Sequence, residues 1–367
     1  MSVVYSEKDC VLINHKEYID HIYRTTIVNQ GDSGSDLKTI YTLREDVFNF
    51  APKNRNDTDD TKRHKINAKK SSILISQNPE LHELNQTIAA KSKEFLEDCK
   101  RRNVIFNESS HHTTDSSLSV FKEVCSEETV NVPLNGKNTL DNAIVTKISG
   151  QTYLIPPKCK FTNTCVSAID KFADEFYDFI VIDPPWWNKY IRRVRTWKRE
   201  EGYDMMYNDD ILKIPLEDLI HPNTIVAIWC TNSPTHSEFV KKIALPKWNL
   251  KLLATYYWVK ITKSGDPICE FNAPLKKQPY EQLFLATHIE SERLLKDDIN
   301  LIFSISSVVH SHKPPLLEVF KDYLPDQPKC LEIFARYLLP HFSSIGREVL
   351  KLQNTILFEE KEQETVR

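Results

Sequence analysis

Asp183-Pro184-Pro185-Trp186 directly follows the apolar run Phe179-Ile180-Val181-Ile182, so a carboxylate stands where a buried strand is expected to end. In open α/β sheets that rim is where ligands sit. The two prolines fix the backbone and carry no N–H, which is expected to leave the carbonyl oxygens there without nearby competition. Such acceptors suit an aromatic amine, whose lone pair is delocalised into its ring and attacks poorly. The Asp183 carboxylate and the Pro184 carbonyl would take its two N–H protons and favour the pyramidal nitrogen that attacks. Holding that nitrogen in line with an electrophilic methyl supplies much of the rest. Trp186 offers a stacking face to a flat base, worth about 1–3 kcal/mol. The plain alternative is a strand-ending proline turn with a surface tryptophan. A given tetrapeptide of these residues is expected in on the order of one in a thousand chains of this length. Its position after an apolar strand favours function further.

The next segment, Asn188-Lys189-Tyr190-Ile191-Arg192-Arg193-Val194-Arg195-Thr196-Trp197-Lys198-Arg199, interleaves six basic residues with Tyr190 and Trp197. Basic groups neutralise phosphates while aromatics stack on unpaired bases, so Asn188, Lys189, Arg192, Arg193, Arg195 and Trp197 are candidate contacts to a single strand. A solvated charged face is the plainer reading of such a run; its place beside the tetrad favours phosphate contact. Tyr207 would either close over the site or join the core. A target base must be unpaired or flipped out of its duplex to be reached. The seven glycines form no G-x-G-x-x-G, which argues against a nicotinamide enzyme. His310 and His312 have no third ligand nearby in sequence, and no metal is expected. None of the eight cysteines forms a Cys-x-x-Cys pair; Cys230 and Cys330, in apolar runs, read as small hydrophobes.

Several elements must position these groups. From about residue 170 strands and helices alternate. The strand candidates are Asp178 to Ile182, Thr224 to Trp229, Leu252 to Ile261, Gln282 to Ala286, Leu301 to Ser306, Cys330 to Phe334 and Glu348 to Leu352. Helices are expected over Leu216 to Ile220, Thr235 to Leu245 and Pro314 to Tyr323. Near-continuous apolar strands between amphipathic helices predict a mostly parallel sheet covered on both faces. Upstream, Asn78-Pro79 reads as an N-cap and first-turn proline. Leu81, Leu84, Ile88, Phe95 and Cys99 form the buried face of a helix running to Arg102. Three regions follow: an N-terminal accessory unit over 1–118, smaller and mixed α+β, with a disordered basic loop near 51–72; a connecting segment over 119–169; and an α/β domain over 170–367. At 367 residues with a formal net charge of -3, the composition fits a globular chain and excludes no nucleic-acid partner. The first residues lack a basic stretch running into an apolar one, and no window approaches a membrane span, so a soluble intracellular chain is expected.

Asp183-Pro184-Pro185-Trp186 resembles the signature of the eukaryotic DPPW-type adenine-N6 methyltransferases, in particular the methyltransferase-like protein four branch. The supporting segments are Trp258-Val259-Lys260-Ile261-Thr262, Lys276-Lys277-Gln278-Pro279-Tyr280-Glu281, Ser311-His312-Lys313-Pro314-Pro315, Leu331-Glu332-Ile333-Phe334-Ala335-Arg336 and Glu348-Val349-Leu350-Lys351. They follow the family's order across roughly residues 175 to 355. The resemblance implies a Rossmann-like methyltransferase sheet with permuted motif order, the catalytic strand preceding the cofactor strand, and S-adenosylmethionine as cofactor. By the same resemblance Phe334 would pack on the cofactor's adenine, Arg336, Arg347 and Glu348 would approach its ribose, and Lys313 its carboxylate. Ile182 and Asp183 would approach from the other side. Lys277, Tyr280 and Glu281 would lie near the target nucleotide. Tyr337 and Arg347 stand where the branch has asparagine, and Gln278 reads as a one-residue insertion. The implied reaction is N6 methylation of adenine in RNA, with 2′-O-methyladenosine of U2 small nuclear RNA as substrate. DNA methylation, and a catalytically silent RNA-binding subunit, are the alternatives. The expected setting is the nucleus, with or without the cytoplasm. The chain would act as a monomer, away from membranes, with no protein partner specified.

Overall fold

Every residue of the strand Tyr177–Ile182 except Asp178 is buried, as its unbroken apolar run requires of a strand covered on both faces. The structure is a computed structural model that describes residues 2–28, 37–48, 71–104, 133–166, 169, 175–187, 205–309 and 312–361. With strands numbered in chain order, this one is β9 (Tyr177–Ile182). It pairs in parallel with β10 (Ile220–Cys230) on one side and β14 (Cys330–Ile333) on the other. Beyond β10 come β12 (Tyr280–His288), β11 (Leu250–Ile261), β13 (Lys296–Ile305), β2 (Cys10–Ile13) and β1 (Val3–Glu7). Beyond β14 come β15 (Phe342–Gly346), β8 (Cys159–Asn163) and β5 (Leu134–Asn138), completing eleven strands. A second sheet joins β16 (Phe358–Lys361), β4 (Leu37–Leu43), β3 (Thr26–Val28), β6 (Ala143–Ile148) and β7 (Gln151–Ile155).

The large sheet is mixed, with six of its ten strand pairings among the described residues parallel. β12 runs antiparallel to both its neighbours, and the outermost strands β1 and β5 are antiparallel as well. Two expectations are corrected. The strand that pairs beyond β14 is β15, not Glu348 to Leu352: Glu348 lies in a turn, where its carbonyl accepts the Lys351 amide at 2.9 Å. Pro314 to Tyr323 is no α-helix. Its two prolines have no N–H to give, the chain passes in an irregular path, and only Lys321–Tyr323 closes a 3₁₀ turn.

Strand alternation divides the side chains between two faces. Phe179, Val181, Ala227, Trp229 and Cys330 face one side, packed with Ile19 and Tyr23 of helix α1 (His15–Tyr23) and with Leu316 and Phe320. Ile180, Ile182, Ile228, Leu331 and Ile333 face the other, beneath Phe239 of α3 (Pro234–Phe239) and Leu245. On that second face, helix α2 (Pro79–Arg101) lays Ile88, Phe95, Leu96 and Cys99 against Tyr257, Tyr280 and Phe303. Its start matches the expected Asn78-Pro79 boundary, but the Asn78 amide donates back to the Leu74 carbonyl at 3.0 Å instead of capping. The preceding turn, 71–77, is helical, so Ser71 and Ser72 leave the expected loop; residues 51–70 lie outside the described residues. Among the described residues no helix is long and apolar enough to cross a membrane.

Candidate active site

The tetrad begins where β9 stops pairing: the Asp183 amide donates to the Ile333 carbonyl at 3.3 Å. The expected freedom of the proline carbonyls is corrected by the turn itself. The Trp186 amide donates to the Pro184 carbonyl at 2.8 Å, and the Met206 amide to the Pro185 carbonyl at 2.9 Å. The prolines remove their own donors, yet the turn and a neighbouring segment supply others. Each carbonyl keeps one lone pair. The stacking role expected of Trp186 is corrected too. The indole is 4% exposed, packs near His236 and Phe239, and donates through Nε1 to the Trp229 carbonyl at 2.9 Å. It belongs to the second face, where it anchors the turn.

Asp183 follows Val181 by two residues and so continues the first face. There a charged cluster sits on a tryptophan floor. Lys313 Nζ lies 3.6 Å from Asp183 Oδ1 and is in contact with Glu281, which also pairs with Lys260. The Lys313 ammonium stands 4.9 Å from the Trp229 ring centre and that of Lys260 4.6 Å from the Trp258 ring centre, both within cation–π range. Burial pushes the Glu281 carboxyl up, but Lys260 and Lys313 outweigh it and hold the group well below the usual range. Burial pulls Lys313 down, while Asp183 and Glu281 more than restore it. Both remain charged.

Glu332 lies behind this cluster. It is 5% exposed, its Oε2 has no hydrogen-bond partner, and burial, with the Asp183 charge adding, pushes its carboxyl up to about 8. Its register neighbour Ser344 also has a buried hydroxyl without a partner. Tyr337 is buried and donates to the Lys313 carbonyl at 2.9 Å, so this departure from the family pattern steadies the lysine's backbone. His312 is a wall behind the site, its ring 4.6 Å from that of His15, and burial lowers it to about 3.

After β14 the chain turns sharply at Phe334, whose φ is +66°. Its ring is partly buried against the second face. The approach of β15 to this turn is too close for a side chain: a Cβ on Gly346 would lie 2.5 Å from the Ala335 carbonyl oxygen. Arg336, expected to donate to a ribose, has its Nε 3.2 Å from Glu348, which also holds Lys351 at 2.7 Å. Two expected cofactor contacts are thus paired with each other. Arg347 is exposed in the following turn, and Ile182 is fully buried, leaving only its backbone for a ligand.

Tyr280 is corrected as a substrate contact. It is buried on the second face, beneath α2, and its hydroxyl donates to Asn85 Oδ1 at 2.5 Å. Alternation leaves its neighbour Glu281 in the charged cluster. Lys277 is exposed, and the inserted Gln278 clamps the loop by pairing with both the amide and the carbonyl of Asn272, at 3.0 and 2.9 Å. Asn188, Lys189, Arg192, Arg193, Arg195 and Trp197 lie outside the described residues, as does His310. Sequence reasoning gave no site role to Lys260 or Glu332. Their one signal was a charged residue inside an otherwise apolar strand, which alternation assigns to one face without saying which.

The fold is a mixed, sheet-rich α/β one, with an acidic-proline turn at the strand end where α/β sheets bind ligands. Residues 177–348 match the family model MT-A70. The human "N(6)-adenine-specific methyltransferase METTL4" is 39% identical over 233 residues, covering 59% of this chain and 48% of that protein. The Caenorhabditis elegans "DNA N6-methyl methyltransferase" is 34% identical over 220 residues, 59% of this chain and 58% of that one. The Cryphonectria parasitica "N6-methyladenosine RNA methyltransferase MTA1" is 34% identical over 194 residues, with 52% and 57% covered. The chain spans about half the length of the curated relatives it matches. Methyltransferases of the MT-A70 family use S-adenosylmethionine as methyl donor.

Proposed function

We propose that this chain transfers a methyl group from S-adenosylmethionine to the N6 amine of adenine in RNA, with 2′-O-methyladenosine of U2 small nuclear RNA as the substrate. The observation that carries the proposal is the Asp183 carboxylate at the end of β9, beside the remaining lone pair of the Pro184 carbonyl and 3.6 Å from Lys313. The residues present fit the cofactor chemically. Lys313 suits a carboxylate, Asp183 suits a cationic group, the Phe334 ring suits a purine face, and Glu348 suits ribose hydroxyls. The order of β9 before β14 in the chain agrees with a permuted methyltransferase sheet. When bound, the cofactor supplies an electrophilic methyl on a sulfonium.

The protein's part is orientation. Asp183 and Pro184 accept the two amine protons, which localises the nitrogen lone pair and aims it. The nitrogen would gain positive charge as it took the methyl the cofactor supplies; the Asp183 carboxylate would stabilise that charge and accept the surplus proton along its hydrogen bond, passing it to solvent. The Lys260–Glu281–Lys313 cluster fixes the charge around the amine. The segment over 1–118 would position the strand of RNA, the chain acting as a monomer in the nucleus. DNA is the second reading, favoured by the likeness to the nematode DNA N6-methyl methyltransferase.

Methyl transfer from purified protein to RNA with adenosine, RNA with 2′-O-methyladenosine, and DNA decides among these substrates. The 2′-O-methylated RNA is expected to be the best acceptor. Asp183→Ala is expected to lower kcat by at least about 100-fold. Activity that survives that substitution would overturn the mechanism.

A further inference from the structure

A base held for methylation needs an open aromatic face, and the tetrad's own indole, at 4% exposure, is not one. Tyr207 is 64% exposed and follows the segment that pairs with the tetrad. It is held from both sides. On one side, the Met206 amide donates to the Pro185 carbonyl at 2.9 Å. On the other, the Asn208 side chain lies 3.2 Å from His236 Nδ1, and Nε2 of the same ring is 3.1 Å from the Trp187 carbonyl. The Tyr207 carbonyl also accepts the Asp210 amide at 3.0 Å, closing a short helical turn.

Its backbone is extended, with φ −76° and ψ 156°. Extended chain sends successive side chains opposite ways. Met206 packs on the second face together with Trp186, so Tyr207 is sent toward the face that carries Asp183. An aromatic ring on an anchored backbone loses little freedom when a ligand covers it. Among the described residues, none covers so large a ring beside the tetrad.

We infer that Tyr207 is the platform on which the target base stacks, its ligand the flat face of a purine in a single strand; this rests on the nucleic-acid reading of the site. The phenol hydroxyl has no part in it, so a phenylalanine serves as well.

The test titrates the full chain into a single-stranded RNA carrying 2-aminopurine in place of the target adenine, whose fluorescence is quenched by stacking. Wild type and Tyr207→Phe are expected to quench it. Tyr207→Ala is expected to lose the quenching and to raise KM for the adenine-containing RNA by about tenfold. Its kcat at saturating RNA should stay within about twofold of wild type, with calorimetric binding of S-adenosylmethionine unchanged. An alanine variant that quenches like wild type, or a wild type that fails to quench, overturns the inference. A wild type that quenches but transfers no methyl group supports the platform and sinks the proposed activity. Methyl transfer with the same KM in Tyr207→Ala sinks the platform alone.

Discussion

A carboxyl group with an unpaired oxygen, sealed beside another carboxylate, is unstable when ionised, and Glu332 is in that position. Its folded pKa, about 8, lies above its ordinary 4.5. The folded chain therefore holds a proton that the unfolded chain releases between those values. Stability from the protonated form is complete below about pH 4.5 and is lost as pH rises toward 8. Glu332→Gln mimics the neutral acid and escapes that loss. Its Tm is expected to exceed that of wild type at pH 8 and to match it near pH 5, read by thermal scans across that range. An equal gap at both values would refute the account. Asp183 was legible in the sequence because an acidic residue, two prolines and a tryptophan at a strand end are a rare conjunction. Glu332 was not, since a lone acid in an apolar run shows neither its face nor its neighbours. The burial of Trp186 and Tyr280 was hidden for the same reason: an aromatic residue type does not say which side of the sheet receives the ring.

The turn after β14 depends on what β15 lacks. Phe334 is left-handed, and the Ala335 carbonyl lies where a Cβ of Gly346 would be. Gly346→Ala is expected to push the two strands apart and to cost about 1–3 kcal/mol, the usual range for overpacking. Calorimetry should show the lower Tm together with weaker binding of S-adenosylmethionine, because Phe334 and Arg336 ride on the displaced turn. A lower Tm with unchanged affinity would show that the turn does not build the cofactor site. The apolar strands β9 to β14 were read from the sequence within a few residues, since a buried strand is a continuous apolar run. β15 was missed because Ser343 and Ser344 dilute its pattern, while Val349-Leu350 just beyond looked more strand-like. The expected helix over Pro314 to Tyr323 failed because leucine spacing there reflects two packed turns, not one continuous face.

Across the whole molecule, the site is central and its supports come from far along the chain. β2 adds to β13 at one side of the sheet, while β8 and β5 add beyond β15 at the other. Their register could not be read from the sequence, because short strands carry too little pattern to name a partner. The His15 ring packs edge-on against His312, the neighbour of Lys313, so α1 braces the charged cluster from behind. Removing residues 2–13 is expected to uncover the β13 edge and produce an aggregation-prone protein. Light scattering during a thermal ramp should rise earlier than in the full chain; coincident curves would show that β1 and β2 are dispensable.

The pairing of Cys10 with Leu301 also bears on how the molecule is made. During synthesis β2 can pair with β1 at once, but its other edge must wait for β13 while almost the entire sheet is synthesised. Such distant pairing makes for slow folding. During that interval Leu12 and Ile13, fully buried at the end, lack the β13 neighbours that cover them, and an unpaired edge of that kind is what favours association with another molecule.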